Sequence, residues 1–207
     1  MTPPALTGFL PTPQWSIVRL SRHPDQNATE RHPVPLPAHL RTVADRIDSL
    51  TAVIGHAVTW CLLVMVIVQV VVVLLRYVLG VGSIWLQETI IYAHATLFML
   101  AAAWTLQQGG HVRVDIFYAD ASPRRKAVVD LLGAIVLLLP FSIALVWLSA
   151  PYVARSWAIL EHSRETSGLP LVFLLKTLIP LFALLLGLQG ISQAVRAAIV
   201  LIGNGER

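Results

Sequence analysis

The sequence predicts an all-α integral membrane protein: four transmembrane helices with both termini in the cytoplasm, preceded by an amphipathic lead-in helix and a disordered N-terminal tail. Three observations carry this. Only 13% of the 207 residues are charged and 56% are hydrophobic, with a mean hydropathy of +0.72, whereas about a quarter of a soluble domain is charged. Four apolar runs, at about 50–75, 85–106, 127–152 and 171–202, reach the roughly 20 residues that cross a hydrocarbon core. Lysine and arginine are also divided unevenly between the two sides that these runs define.

Residues 1–39 form the expected tail, a proline-rich cytoplasmic segment without sustained periodicity or the apolar core of a secretory signal. From Leu40 the pattern tightens: Leu40, Val43, Ile47 and Leu50 keep helical spacing, with Arg41, Asp45, Arg46 and Asp48 on the other side. This predicts an amphipathic lead-in that continues into the first span. Residues 50–75 then run 26 positions without a charge until Arg76, enough to tilt or to extend past one face. The single cysteine, Cys61, lies in this run and is expected to serve packing.

Glycine and serine between Val78 and Ser83 predict a short turn into the second span, with Trp85 at the interface and Glu88 near the helix start. Glu88 is expected to pair with Arg76 across that turn. The second span ends at a polar island, Gly109-Gly110-His111-Val112-Arg113-Val114-Asp115. The two glycines permit a sharp helix exit, and an Arg113–Asp115 pair is expected to act as a clasp between the second and third spans. Ser122-Pro123 reads as an N-cap followed by proline at the first helical position.

The third span carries Pro140 at its middle, where a kink is expected with the freed carbonyl satisfied by neighbouring helices. A polar connection containing Glu161, Glu165 and Gly168 leads to the fourth span. There Lys176 is expected to snorkel to the surface. Gly187, Gly190, Ala194 and Ala197 form a small-residue stripe suited to close helix approach. Gln189, Gln193 and Arg196 share another face, and spacing alone leaves open which of the two faces a partner and which faces the bundle.

Eleven lysines and arginines fall on the side of the N-terminal tail, the second-to-third connection and the C-terminus, against four on the other (Arg76, Arg155, Arg164 and Lys176). The positive-inside rule therefore places both termini in the cytoplasm. It also accounts for the net charge of +4 without a nucleic-acid partner. His111 and Asp115 lack a third ligand for a metal. His56 and His94 lie toward opposite ends of their spans, which disfavours a shared haem.

The motifs Arg76-Tyr77-Val78, Trp85-Leu86-Gln87-Glu88, Gly110-His111-Val112-Arg113-Val114-Asp115, Pro123-Arg124-Arg125 and Glu165-x-Ser167-Gly168-Leu169-Pro170, followed by Lys176, Pro180 and Gln189, resemble the small membrane subunit (DctQ-like) of the tripartite ATP-independent periplasmic (TRAP) transporters. The resemblance runs from about Asp45 to Arg196. It implies a non-enzymatic scaffold in the bacterial inner membrane, partnered by a large membrane subunit and a periplasmic solute-binding protein. It further implies sodium-coupled uptake of an organic anion, such as a C4-dicarboxylate, with no cofactor on this chain and the sodium sites in the large subunit. The structural and interface candidates are then Arg76, Glu88, Gly110, His111, Arg113, Asp115, Glu165, Lys176, Gln189 and Gln193. The rival function is that of a stand-alone four-helix protein, either a proton-coupled exporter using Glu88 or a redox subunit using His56 and His94.

Overall fold

In lipid each backbone polar group must bond within its own segment, so long apolar runs become helices even where valine and isoleucine dominate. A computed structural model describes residues 38–111 and 121–203. These fold into α1 (Ala38–Val78), α2 (Ile84–Gln107), α3 (Pro123–Leu132), a π-helical segment (Gly133–Leu138), α4 (Leu139–Ala158) and α5 (Val172–Gly203). They supply four helices long and apolar enough to span a membrane, α3 through α4 forming one of them. The expected tail lies outside the described residues, except that its last two positions open α1.

α1 is one continuous helix of 41 residues, about 60 Å long and twice the hydrocarbon thickness. Its first turns keep only part of the expected amphipathic arrangement, with Asp45 and Arg46 exposed and Ile47 half-buried. Leu40, Val43 and Leu50 face outward, while Ala44 and Thr51 are buried and the Asp48 side chain is turned in. The spacing was legible; the environment it faces was not.

α5 is the most buried span and packs against every other helical segment. α1 also packs closely on α2, where Gly55 admits the ring of Trp104: a Cβ at 55 would lie 2.5 Å from Trp104 Cγ. The small residues of α5 serve the π-helical segment and α4, since a Cβ on Gly187 would meet Ser142 at 3.2 Å and one on Gly190 would meet Leu138 at 2.7 Å. The stripe is therefore used within the chain.

The third span is longer than expected, 36 residues from Pro123 to Ala158. Its kink takes the form of a widened turn. The Pro140 ring would clash with the carbonyl four residues earlier, on Val136, and the helix opens into π geometry over Gly133–Leu138. At the end of α2, Gly109 adopts φ +68° and Gly110 N–H donates to Thr105 O at 2.9 Å, the sharp exit that the glycine pair predicts. The starts of α1 and α3 and the ends of α2 and α5 meet at one end of the bundle. The described chain thus begins and ends on the same side.

Candidate functional site

The chemistry-bearing side chains gather into two polar locks, one at each end of α5. The first is built by register. Asp45, Asp48 and Thr51 recur every three residues on α1, and Gln189, Ser192 and Arg196 recur at i, i+3 and i+7 on α5, so each set occupies one helical face. Gln189 Nε2 donates to Asp48 Oδ1 at 2.9 Å and Ser192 Oγ donates to the same oxygen at 2.7 Å. Arg196 closes on Asp48 Oδ2 and reaches Asp45 Oδ1 at 2.9 Å. Thr51 Oγ donates to Gln189 Oε1 at 2.9 Å.

α2 joins the same lock. Gln107 Nε2 donates to the main-chain oxygen of Asp48 at 3.1 Å, and Gln193 Nε2 to that of Leu106 at 3.1 Å. Gln189, Ser192 and Thr51 are almost wholly buried. A carboxylate drawn out of water needs several donors to offset its desolvation, and Asp48 has them from α5.

The second lock holds the α4–α5 connection onto α2. Ser163 Oγ donates to Glu88 Oε1, and Leu169 N–H donates to Glu88 Oε2 at 2.5 Å. Ser163 N–H donates to Leu169 O at 3.2 Å, closing the loop on itself. Gly168 is the residue that permits this approach: a Cβ there would run into Ser163 Oγ and lie 2.8 Å from Glu88 Oε1. Beside it Lys176 pairs with Glu161 and lies 4.1 Å from the Tyr152 ring centroid. Trp157 Nε1 donates to Thr177 Oγ1 at 2.9 Å and its ring meets Phe173 edge-on at 4.7 Å, stapling the end of α4 to the start of α5.

The hydrogen bond from Lys176 holds the Glu161 carboxyl below the usual glutamate range. A carboxyl depressed on folding contributes stability that is present above its unfolded value, about 4.3, and is lost as pH falls through the lower folded value. Melting curves between pH 7 and pH 3 are accordingly expected to show a loss of stability below about pH 4 that is smaller in Glu161→Gln. Identical pH dependence in the two proteins would contradict the pairing.

One expected pairing is corrected by this geometry. Glu88 does not pair with Arg76. The helix start turns its carboxylate toward the distant 163–169 loop, and Arg76 is exposed in the last turn of α1. Lys176 reaches the polar α4–α5 connection, where it pairs with Glu161 beside Tyr152 and its side chain is 16% exposed. Glu165 is exposed and contributes through its backbone, receiving the Gly168 N–H at 3.0 Å. His111 is exposed just after Gly110. Arg113 and Asp115, and with them the clasp, lie outside the described residues.

The two histidines of the redox alternative do not face one another. His56 Nδ1 lies 2.7 Å from Ala52 O and its ring packs on Trp104 at 4.9 Å. Trp104 is ten residues beyond His94 on α2, an axial offset of about 15 Å. His94 stacks on Phe98 of its own helix. An open groove of about 740 Å³ between α4 and α5 is lined by Trp147, Leu184, Leu188 and other apolar groups, with Ser142 as its one polar side chain. An anion there would go unsolvated.

The model of the DctQ component of the tripartite ATP-independent periplasmic transporters matches residues 64–199. The chain belongs to the DctQ family. No curated protein and no solved structure gives a match. DctQ components are transporter subunits and not enzymes, and membership implies a large membrane subunit and a periplasmic binding protein as the kinds of partner. Within this DctQ protein, Asp48, Ser192 and Thr51 are the site residues that sequence reasoning passed over. Their signal was the matching i, i+3 registers on two apolar helices. Ser163 carried none, because a loop serine becomes a ligand for Glu88 only once the loop has folded back.

Proposed function

We propose that this chain is the small permease subunit that braces the large membrane subunit of a TRAP transporter in the bacterial inner membrane, with both termini in the cytoplasm. The complete system takes up an organic anion, a C4-dicarboxylate or a related carboxylate, in symport with sodium, and a periplasmic binding protein delivers it. The observation that carries this reading is where the polar side chains go. Glu88, Lys176, Gln189 and Gln193 all bond within the chain. The described helices therefore form a unit tied at both ends, with long apolar faces left outward. A brace needs such internal rigidity, and a substrate site needs the reverse, polar groups converging on an open cavity.

The stand-alone exporter loses support for the same reason. A carboxylate that carries protons must alternate between partners, and Glu88 is bonded into a loop on both oxygens. The test is sodium-gradient-driven uptake of a labelled C4-dicarboxylate into proteoliposomes holding the large subunit and its binding protein. Uptake is expected with this chain present and to fall to background without it. Equal uptake without it, or uptake by this chain alone, would overturn the proposal.

A further inference from the structure

The end of the bundle where α1 and α3 begin holds more cations than carboxylates among the described residues. Among the described residues, Arg41, Arg46, Arg124, Arg125, Lys126 and Arg196 lie there with Asp45, Asp48 and Asp130, six cations to three anions. The opposite end holds four cations, Arg76, Arg155, Arg164 and Lys176, to three anions, Glu88, Glu161 and Glu165. Three of the six are consecutive in the first turn of α3, which contains no acidic residue. Cations there add to the positive end of the helix dipole, where an anion would be favoured. The first turn of α1 also lacks an acid.

Space for an anionic ligand is present beside these charges. A groove of about 430 Å³ between α3 and α5 is lined by Lys126 and Arg196 on its polar side and by Ala127, Ala197 and Val200 on its apolar side; Asp130 also borders it. A second groove of about 330 Å³ between α1 and α5 brings Arg41 to the other flank of the same Arg196 and Val200, beside Asp45. Arg196 holds Asp45 and Asp48, yet its side chain is 52% exposed and keeps surface for an outside partner. Val200, on the apolar side of the α3–α5 groove, is 40% exposed. The ligand that matches this surface has an anionic head and long apolar tails.

We propose that the α3–α5 groove binds the headgroup of an anionic phospholipid. The phosphodiester lies between Lys126 and Arg196, beside the basic first turn of α3, and the apolar part of the lipid covers Ala127, Ala197 and Val200. A free anion would leave the apolar wall of Ala127, Ala197 and Val200 uncovered. Basic pockets between membrane helices are recurrent sites for such headgroups.

The full-length chain, purified in detergent, is titrated with phosphatidylglycerol or with phosphatidylcholine of the same acyl chains, and thermal melting and native mass spectrometry are recorded. Phosphatidylglycerol is expected to be retained selectively and to raise the melting temperature, while phosphatidylcholine and inorganic phosphate at matched concentration do neither. Each cation near an anionic headgroup contributes ~1 kcal/mol, about fivefold in affinity. Lys126→Gln should then weaken retention about fivefold, and the triple Arg124→Gln/Arg125→Gln/Lys126→Gln about a hundredfold. Arg155→Gln at the opposite end should leave it unchanged. Where the triple variant melts lower without lipid, the single variant gives the reading. Equal retention of the two lipids, an undiminished response in Lys126→Gln, or the same stabilisation by phosphate alone would overturn the site.

Discussion

Replacing Asp48 with alanine is expected to lower the stability of the chain in detergent by about 2–4 kcal/mol, the largest effect of any single substitution at either lock. Asp48 accepts from Gln189 and Ser192 and pairs with Arg196, so its loss leaves three donors on α5 without their acceptor. Interhelical polar contacts in membranes average only about 0.6 kcal/mol, but that figure describes single neutral pairs. Here one carboxylate, 15% exposed, accepts from two almost wholly buried donors, Gln189 and Ser192, and each buried donor left unsatisfied costs about 1–3 kcal/mol. Asp48→Asn keeps an acceptor and loses the charge, and should fall between. Asp45→Ala should cost less than about 1 kcal/mol, because Asp45 is 67% exposed and shares the same arginine. Thermal unfolding of the three variants checks the order. Asp45→Ala matching Asp48→Ala would contradict the lock.

Glu88→Ala is expected to act locally and just as clearly. It removes the acceptor for both Ser163 Oγ and Leu169 N–H, and each hydrogen bond to a charged group contributes about 1.5–3 kcal/mol. The 160–171 loop should then be cut by protease roughly ten times faster or more, since ~1.4 kcal/mol is a tenfold change in the open population. The spans themselves should stay folded. Gly168→Val should produce the same phenotype by steric means, because any Cβ there meets Ser163 and Glu88. Arg76→Ala should leave the cutting rate unchanged. A cutting rate in Arg76→Ala as high as in Glu88→Ala would restore the pairing across the short turn in place of the observed one.

Much of this architecture is legible in the residues, and the exceptions share a cause. Apolar runs and glycine signals gave the four spans and the exit at Gly109–Gly110, because lipid leaves the backbone no alternative to helix and because a left-handed exit selects glycine. Pro140 announced a kink, although its π-helical form depends on how the preceding turn yields. The spacing of the lead-in does not specify which of its polar residues turns inward: Asp48 does, while Asp45 and Arg46 stay exposed. Glu88 was paired with Arg76 because the two are close in sequence. Its actual ligands come from residues 163–169, and nothing in the local pattern of a loop specifies the helix it will fold onto. The Asp48–Gln189–Ser192 lock was written as two matching registers some 140 residues apart, visible only once the helices are side by side.

The central claim is that the small subunit works as a rigid brace in which α1 and α5 do not move apart. It is tested most directly by joining them covalently. In a Cys61→Ser background, Ala44→Cys and Ser192→Cys place thiols where Ser192 Oγ now lies 3.4 Å from Ala44 O, and the pair is closed with oxidant or a short thiol linker in the reconstituted transporter. The brace predicts that uptake after cross-linking equals uptake before it. Loss of uptake on cross-linking, regained on reduction, would show that these helices must separate during transport and would contradict the account.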